Sequence, residues 1–236
     1  MFIHIAQALN PQQLERITAN LGADAPWVDG RVTAGYQGAP VKHNQQLDES
    51  SAAARALGDV VLSALEHNAH FVSAALPNRV YPPLFNRYLE GMHFGTHVDG
   101  AIRRIPGTSH KLRADLSATL FLVAPDTYDG GELVMEAGSA SRPAGHSLDS
   151  QSFKGAAGDL IVYPTTSPHR VNPVTRGARL ASVFWIQSLV REQAQRTELF
   201  ELDCTIARLT ATAADSQSLV RLASHYHNLL RHWSLT

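Results

Sequence analysis

The chain has 236 residues and a formal net charge of −1. It is therefore long enough for one sizeable domain, and its charge gives no general argument for nucleic-acid or anionic membrane partners. A single cysteine, Cys204, excludes an internal disulfide framework and fits a reducing compartment. No apolar run approaches the roughly 18 residues of a membrane helix, and no signal-peptide pattern opens the chain. We expect a cytoplasmic protein without membrane or nucleic-acid partners.

Residues 1–79 are predicted to form a helical and irregular support that packs on the rest of the chain. Asn10-Pro11 is a typical helix start, with Asn as the N-cap and Pro in the first turn. A second helix is expected from near Asp48 through Leu65, because its apolar residues recur at helical spacing. The polar segment between the two helices is predicted to be irregular.

Residues 80–188 have a different character, with short runs of β-branched and aromatic residues between Gly, Pro and Asp. Short strands at this spacing are typical of an antiparallel sandwich or barrel. We expect this segment to be the catalytic core. Its predicted strands are Phe85–Leu89, Gly95–Asp99, Leu116–Ala124, Gly131–Glu136, His146–Phe153, Asp159–Tyr163, His169–Pro173 and Arg179–Gln187.

Residues 189–236 are predicted to be an αα-hairpin, which makes the expected fold class α+β. Each of the two helices carries apolar residues along one face, and these stripes could cap the sheet or support homo-oligomer formation. The residues concerned are Leu199, Leu202, Ile206 and Leu209 in the first helix, and Leu219, Leu222, Tyr226, Leu229 and Trp233 in the second.

The most informative motif is His97-Val98-Asp99, followed far downstream by His169. Ligands at i and i+2 of a strand point to the same face, and a third ligand must come from a distant segment. Two His and one carboxylate on one face of a metal leave the opposite positions open. That ligand set is typical of a non-haem Fe(II) site that activates oxygen.

Arg179 is predicted to complete this site. A strand from His169, a short turn and a returning strand from Arg179 are expected to be neighbours, with axes about 5 Å apart. A 2-oxo acid that chelates iron needs a fixed cation for its far carboxylate, and a guanidinium binds carboxylate with two parallel hydrogen bonds.

With these residues in view, the chain resembles the Fe(II)/2-oxoglutarate-dependent oxygenases of the prolyl-4-hydroxylase type and, more narrowly, the bacterial PKHD-type hydroxylases. The resemblance implies a double-stranded β-helix core (jelly-roll, cupin-like), Fe(II), 2-oxoglutarate as cosubstrate and ascorbate as reductant. It also implies His97, Asp99 and His169 as iron ligands, Arg179 as the 2-oxoglutarate clamp, and a link to iron uptake. It is carried by Phe85-Asn86-Arg87-Tyr88, His97 to Arg103, Arg113 to Ser117, Gly158 to Gln187, Leu199 to Asp203 and Tyr226 to Leu230.

Two further features each have two interpretations. Tyr88, nine residues before His97, could be a core aromatic or could donate a hydrogen bond to the oxo acid. The basic loop from Arg103 to Arg113 could be a solvated loop or a lid that closes over an anionic substrate. The substrate itself, a small molecule or a peptide that reacts with O₂, is not identified by the sequence.

Other histidines are expected to have other roles, and two other protein classes share part of this pattern. His93 is expected to lie too far along its strand to be a ligand, and His67 and His70 fit a solvated helix face. A non-catalytic sensor of iron or 2-oxoglutarate with the same fold is the main alternative. A cupin-like zinc hydrolase is disfavoured by the predicted clamp at Arg179.

Overall fold

The computed structural model describes residues 2–136, 150–212 and 215–235. Its helices are α1 (Pro11–Thr18), α2 (Ala52–Glu66), α3 (Ala69–Ala75), α4 (Gln193–Ala211) and α5 (Ser216–Trp233). The first begins as predicted: the Asn10 side chain accepts a hydrogen bond from the Gln13 N–H at 2.9 Å, and the Gln13 side chain accepts one from the Asn10 N–H. The second begins at Ala52, a few residues after the expected start, because Ser51 caps it.

A larger antiparallel sheet forms one wall of the core, in the spatial order β1-β14-β10-β17-β6-β4-β2, and β5 also pairs with β17. Its strands are β1 (Ile3–Ile5), β2 (Trp27–Asp29), β4 (Gln45–Leu47), β5 (Pro77–Val80), β6 (Leu84–Tyr88), β10 (Leu116–Phe121), β14 (Leu160–Pro164) and β17 (Arg179–Ser188).

A smaller antiparallel sheet faces it, in the order β13-β12-β15-β7-β3. Two ribbons, β8 with β9 and β11 with β16, connect the layers. The strands of this part are β3 (Lys42–His43), β7 (His93–His97), β8 (Ile102–Arg104), β9 (Lys111–Arg113), β11 (Asp129–Gly130), β12 (Leu133–Glu136), β13 (Ser150–Phe153), β15 (His169–Val171) and β16 (Val174–Arg176).

Alternation along the strands separates two cores. On β14, Leu160 and Val162 point outward and pack under α1, α2 and α3, whereas Ile161 and Tyr163 point inward between the sheets. The same period on β10 and β17 turns odd-numbered residues inward. This register lines the interior of the sandwich with polar side chains as well as apolar ones.

The predicted α+β fold and its jelly-roll core are confirmed, and the strands predicted after residue 80 are present with shifted ends. Residues 146–149 of the predicted strand His146–Phe153 lie outside the described residues. The N-terminal segment, expected to be helical and irregular, also supplies β1 to β5. These strands are too short to show alternation in the sequence and form by pairing with neighbouring strands.

Candidate active site

His97 and His169 lie directly opposite each other on the antiparallel strands β7 and β15. Asp99 follows two residues after His97, and one ligand atom from each of the three side chains lies within 4.8 Å of the others. The imidazole Nε2 atoms of His97 and His169 are each 3.8 Å from an Asp99 carboxylate oxygen. The residues predicted as a metal triad are therefore brought together.

The strand that was expected to carry both His97 and Asp99 ends at His97. The premise that both side chains share a strand face is therefore wrong. The reason is that β15 begins at His169, opposite His97, so the backbone beyond His97 has no partner strand there. Asp99 reaches the same space from the segment after the strand.

Backbone carbonyls orient both imidazole rings. His97 Nδ1 lies 2.9 Å from the Gly95 carbonyl oxygen, and His169 Nδ1 lies 3.0 Å from the Ser167 carbonyl oxygen. With each Nδ1–H donating to a carbonyl, the Nε2 atom of each ring faces Asp99. Such outer partners typically fix the ring and the tautomer of histidines that bind metals.

The carboxylate of Asp99 is held from the larger sheet. Ser117 Oγ donates to Asp99 Oδ2 at 2.7 Å. Burial would raise the pKa of Asp99, but the neighbouring imidazoles and the Ser117 hydroxyl outweigh it and lower this pKa. Burial and the charge of His169 lower the pKa of His97 to about 4, so its ring is neutral at physiological pH, as a metal ligand must be.

Arg179 opens β17 and lies opposite Tyr88 of β6. The expectation that it neighbours the His169 strand is wrong, since β15 and β17 belong to different sheets. The chain between them forms β16, which pairs with β11, and then crosses over. Arg179 nevertheless lines the same cavity as His169, from the opposite wall.

The guanidinium of Arg179 is buried without a carboxylate partner among the described residues. The residue is 1% exposed, and its Nε and Nη2 atoms have no hydrogen-bond acceptor in the described chain. Its nearest neighbours are the faces of Tyr88 and Phe121, 5.2 and 5.7 Å from the guanidinium carbon. A buried charge left unpaired is costly, so this pattern fits a site that receives an anion.

Tyr88 is buried beside Arg179, and burial raises the pKa of its hydroxyl. This position suits both interpretations of its role. Sequence reasoning missed Tyr128, which is also buried and whose hydroxyl has no partner among the described residues. The sequence signal for this place is Gly131. In the structure, a Cβ atom at this position would lie 3.1 Å from both Arg179 Cδ and Tyr128 Cε2, so a side chain would crowd both residues.

The triad, Ser117, Tyr88 and Arg179 line one cavity of about 410 Å³ between the two sheets, within the range of small-molecule sites. Within the described ranges, the His97–Asp99–His169 cluster is the group found that could hold a metal ion. His93 is outside it and packs against His43, with ring centroids 4.8 Å apart. The donor set and the unpaired guanidinium fit Fe(II) and a dicarboxylate.

The described helices include none that is long and apolar enough to span a bilayer.

Comparison with known proteins identifies the family. Residues 83–187 match the family model of the 2OG-Fe(II) oxygenase superfamily, and residues 193–234 match that of the PKHD-type hydroxylase C-terminal domain. A PKHD-type hydroxylase of Burkholderia ambifaria (strain MC40-6) is 57% identical over 237 residues, covering 100% of both chains.

Solved structures show the same fold at low identity. A prolyl hydroxylase of Trichoplax adhaerens, in complex with a peptide of hypoxia inducible factor, has a TM-score of 0.53 at 15% identity, covering 79% of this chain and 83% of that one. The α-ketoglutarate-dependent epimerase SnoN of nogalamycin biosynthesis has a TM-score of 0.55 at 14% identity, covering 80% and 79%. The chain belongs to the PKHD-type hydroxylases, a family of 2-oxoglutarate- and Fe(II)-dependent oxygenases.

Proposed function

We propose that this oxygenase hydroxylates its substrate with Fe(II) held by His97, Asp99 and His169 and with 2-oxoglutarate held by Arg179. The observation that carries the proposal is the shared cavity, in which a two-His, one-carboxylate cluster faces a buried guanidinium with unpaired donors. When bound, Fe(II) and 2-oxoglutarate supply the oxidising chemistry, in which one oxygen atom of O₂ enters the substrate and the other enters succinate as CO₂ leaves.

The residues of the chain contribute position and environment. His97 and His169 present their Nε2 atoms to the metal, because their Nδ1 atoms donate to backbone carbonyls. Ser117 holds one Asp99 oxygen and leaves the other for the metal. Arg179 binds the far carboxylate of 2-oxoglutarate, and Tyr88 beside it donates its hydroxyl proton to the bound oxo acid. Their burial excludes water from this end of the cavity.

The proposal is tested by succinate release from protein loaded anaerobically with Fe(II) and 2-oxoglutarate and then exposed to air. The wild type is expected to release succinate, and His97→Ala is expected to release none. Lys111→Gln, on the exposed face of β9, is a control that should behave like the wild type. Succinate release by His97→Ala at the wild-type rate would refute the ligand assignment. Iron binding without succinate release, even with candidate substrates added, would favour the sensor.

Ascorbate is proposed as the reductant that returns oxidised iron to Fe(II). Its addition should prolong succinate formation over many turnovers without changing the initial rate. We also propose a cytoplasmic role linked to iron uptake, supported by the single cysteine and by the resemblance to the family. Transcript or protein levels that do not respond to iron limitation would count against that link.

Residues 189–236 are proposed to act as a separate helical hairpin beside the core (80–188) and its N-terminal support (1–79). The hairpin packs on the N-terminal support, where Leu76 forms a buried cluster with Val190 and Leu199 of the hairpin, while Val220 on α5 is 70% exposed. We propose homo-oligomer formation through this hairpin. Sedimentation of the wild type and of Val220→Glu tests it: an oligomer should dissociate in the variant, and a monomeric wild type contradicts it.

A further inference from the structure

Besides Arg179 and the exposed Arg104, two cations with little solvent exposure line the cavity. Lys42, on β3, is 5% exposed, and Arg103, on β8, is partly buried. Both contact Thr33: the Lys42 ammonium lies 3.3 Å from the Thr33 hydroxyl oxygen, and an Arg103 Nη2–H donates to the Thr33 carbonyl oxygen at 3.4 Å. Two positive charges that are distant in sequence therefore meet at one residue of the cavity wall.

The protein offers these cations only neutral partners. Besides Thr33, the Lys42 ammonium donates to the Gln46 side-chain oxygen at 3.4 Å. The Arg103 guanidinium carbon lies 3.5 Å from the Trp185 ring centroid, and Arg103 Nε has no acceptor among the described residues. Neither cation forms a salt bridge within the described residues.

Carboxylates influence these cations only from a distance. Asp99 acts on both, Asp29 also acts on Lys42, and Glu49 also acts on Arg103. Burial and the charge of Arg103 lower the pKa of Lys42 to about 8, so Lys42 remains largely protonated at neutral pH. The two cations repel each other, and this repulsion would be relieved by a bound anion.

If Fe(II) and 2-oxoglutarate bind as proposed above, they do not neutralise the positive charges of Lys42 and Arg103. The two positive charges of Fe(II) and the one of Arg179 add up to three. The two carboxylates of 2-oxoglutarate and the one of Asp99 carry three negative charges, so these four groups together have no net charge. Lys42 and Arg103, together with the exposed Arg104, then remain as a surplus of positive charge among the residues that line the cavity. A neutral or cationic substrate would leave that surplus unpaired.

Each cation is separated from the metal cluster by one aromatic ring: Phe94 for Lys42 and Trp185 for Arg103. The Lys42 ammonium is 5.4 Å from the Phe94 ring centroid, and the Phe94 ring stacks on His97 with centroids 3.5 Å apart. Arg103 covers Trp185, which lines the cavity beside Asp99. An anionic group held by the cations would therefore lie near the metal without being one of its ligands.

We propose that Lys42 and Arg103 form an anion-binding subsite that holds an oxyanion group of the prime substrate, so that the substrate class is a small molecule bearing a carboxylate or phosphate. The basic loop noted in the sequence divides accordingly: Arg103 is partly buried in the cavity wall, Arg104 lies at the cavity but is exposed, and Lys111 is exposed and outside the lining. Arg103 recognises the substrate, and its exposed neighbours contribute only general attraction.

The direct test is calorimetric titration of inorganic phosphate into anaerobic protein loaded with Fe(II) and saturating 2-oxoglutarate, which occupies the Arg179 site. The wild type should show one saturable site. Lys42→Gln and Arg103→Gln should each weaken phosphate binding at least about tenfold, whereas Arg103→Lys should retain part of it. Lys111→Gln is the matched control and should not change it. Absence of saturable binding, or equal loss in Lys111→Gln, would overturn the proposal.

A stability measurement separates recognition from a structural role. If Lys42 serves a ligand, Lys42→Met removes an unpaired buried charge and should leave the Tm of the ligand-free protein unchanged or raise it by about 2–4 °C. If Lys42 mainly anchors Thr33 and Gln46, the same variant should lower the Tm. Loss of phosphate binding with a lowered Tm would overturn the assignment for Lys42.

The failure of this proposal can be told apart from that of the proposed function. Phosphate is also titrated into metal-free Arg179→Ala protein, which lacks the proposed 2-oxoglutarate clamp. Saturable binding there, lost in the double variant with Arg103→Gln, would support the subsite even if 2-oxoglutarate does not bind the wild type. Normal succinate release without phosphate binding would refute the subsite alone.

Discussion

The two ends of the cavity differ in how far the protein satisfies its own polar groups. At the metal-facing end, both imidazole Nδ1 atoms and one Asp99 oxygen have hydrogen-bond partners within the chain. At the Arg179 end, buried guanidinium nitrogens and the Tyr128 hydroxyl have none among the described residues. The first end is organised before any ligand arrives, and the second becomes complete only when an anion binds.

The largest effect is expected from the organised end. His169→Ala removes a proposed ligand directly opposite His97, and it should reduce iron affinity by more than the 10–100-fold that loss of an outer partner typically costs, with succinate release at background. Metal content after anaerobic loading and succinate release are the two readouts. Full iron occupancy in the variant would show that iron binding at the metal-facing end does not depend on His169.

Arg179→Ala should act on 2-oxoglutarate rather than on iron. Loss of a charge-assisted hydrogen-bonded pair of about 1.5–3 kcal/mol corresponds to a roughly 10- to 150-fold increase in the 2-oxoglutarate Kd. Anaerobic calorimetry measures it, with iron content as the control.

The Arg179 end of the cavity also offers a stability test. Arg179→Met should leave the Tm of the ligand-free protein equal to or above that of the wild type, because it removes an uncompensated buried charge. A large decrease would mean that the guanidinium is already satisfied within the fold.

Ser117→Ala tests how much the organised end depends on its outer partners. Ser117 Oγ also lies 3.1 Å from the Thr165 hydroxyl oxygen, so the hydroxyl links Asp99 to a second strand end. Its loss should weaken iron binding about 10- to 100-fold and leave the 2-oxoglutarate Kd of the loaded protein nearly unchanged. An equal change in both constants would show that the two ends are coupled.

The smallest effect is expected from titration of His97, because it changes the free energy of unfolding below neutral pH and leaves activity near neutral pH almost unchanged. In the folded metal-free protein its pKa is about 4, against 6.5 for an ordinary His, so the unfolded chain binds a proton in this window that the folded chain does not. The free energy of unfolding should therefore fall as the pH decreases from 6.5 to about 4, by up to about 3 kcal/mol from this group. Urea denaturation at several pH values measures it.

His97→Gln is the control for that series. Its unfolding free energy should vary less over the same pH window than that of the wild type, since the other titrating groups are unchanged. Parallel curves for the two proteins would contradict the low pKa of His97.

Much of the organised end could be predicted from the sequence. His97, Asp99 and His169 were identified by residue type and spacing, and the long strands β10, β14 and β17 by their β-branched and aromatic residues. The N-cap at Asn10 was also predicted correctly, because capping depends on residues adjacent in the chain. These features depend on local patterns.

The rest depends on contacts between distant segments. Whether β15 and β17 share a sheet is decided by how residues 172–178 cross over, and no local pattern records that. Lys42 lies on a strand of two residues, too short for alternation to show, and its place near Arg103 follows from pairing between β3 and β7. Tyr128 lies between the predicted strands Leu116–Ala124 and Gly131–Glu136, where no element was predicted.

The opposition of His97 and His169 across β7 and β15 has a consequence for the mechanics of the smaller sheet. β15 has only three residues, and its register with β7 shifts between His169 and Val171. A divalent ion bound to both histidines would act as a cross-strand tie, opposing local opening by about 2.7 kcal/mol at a free concentration of a hundred times its Kd. The amide-exchange rates of this sheet would then depend on iron supply, and a chelator would raise them before those of the rest of the fold.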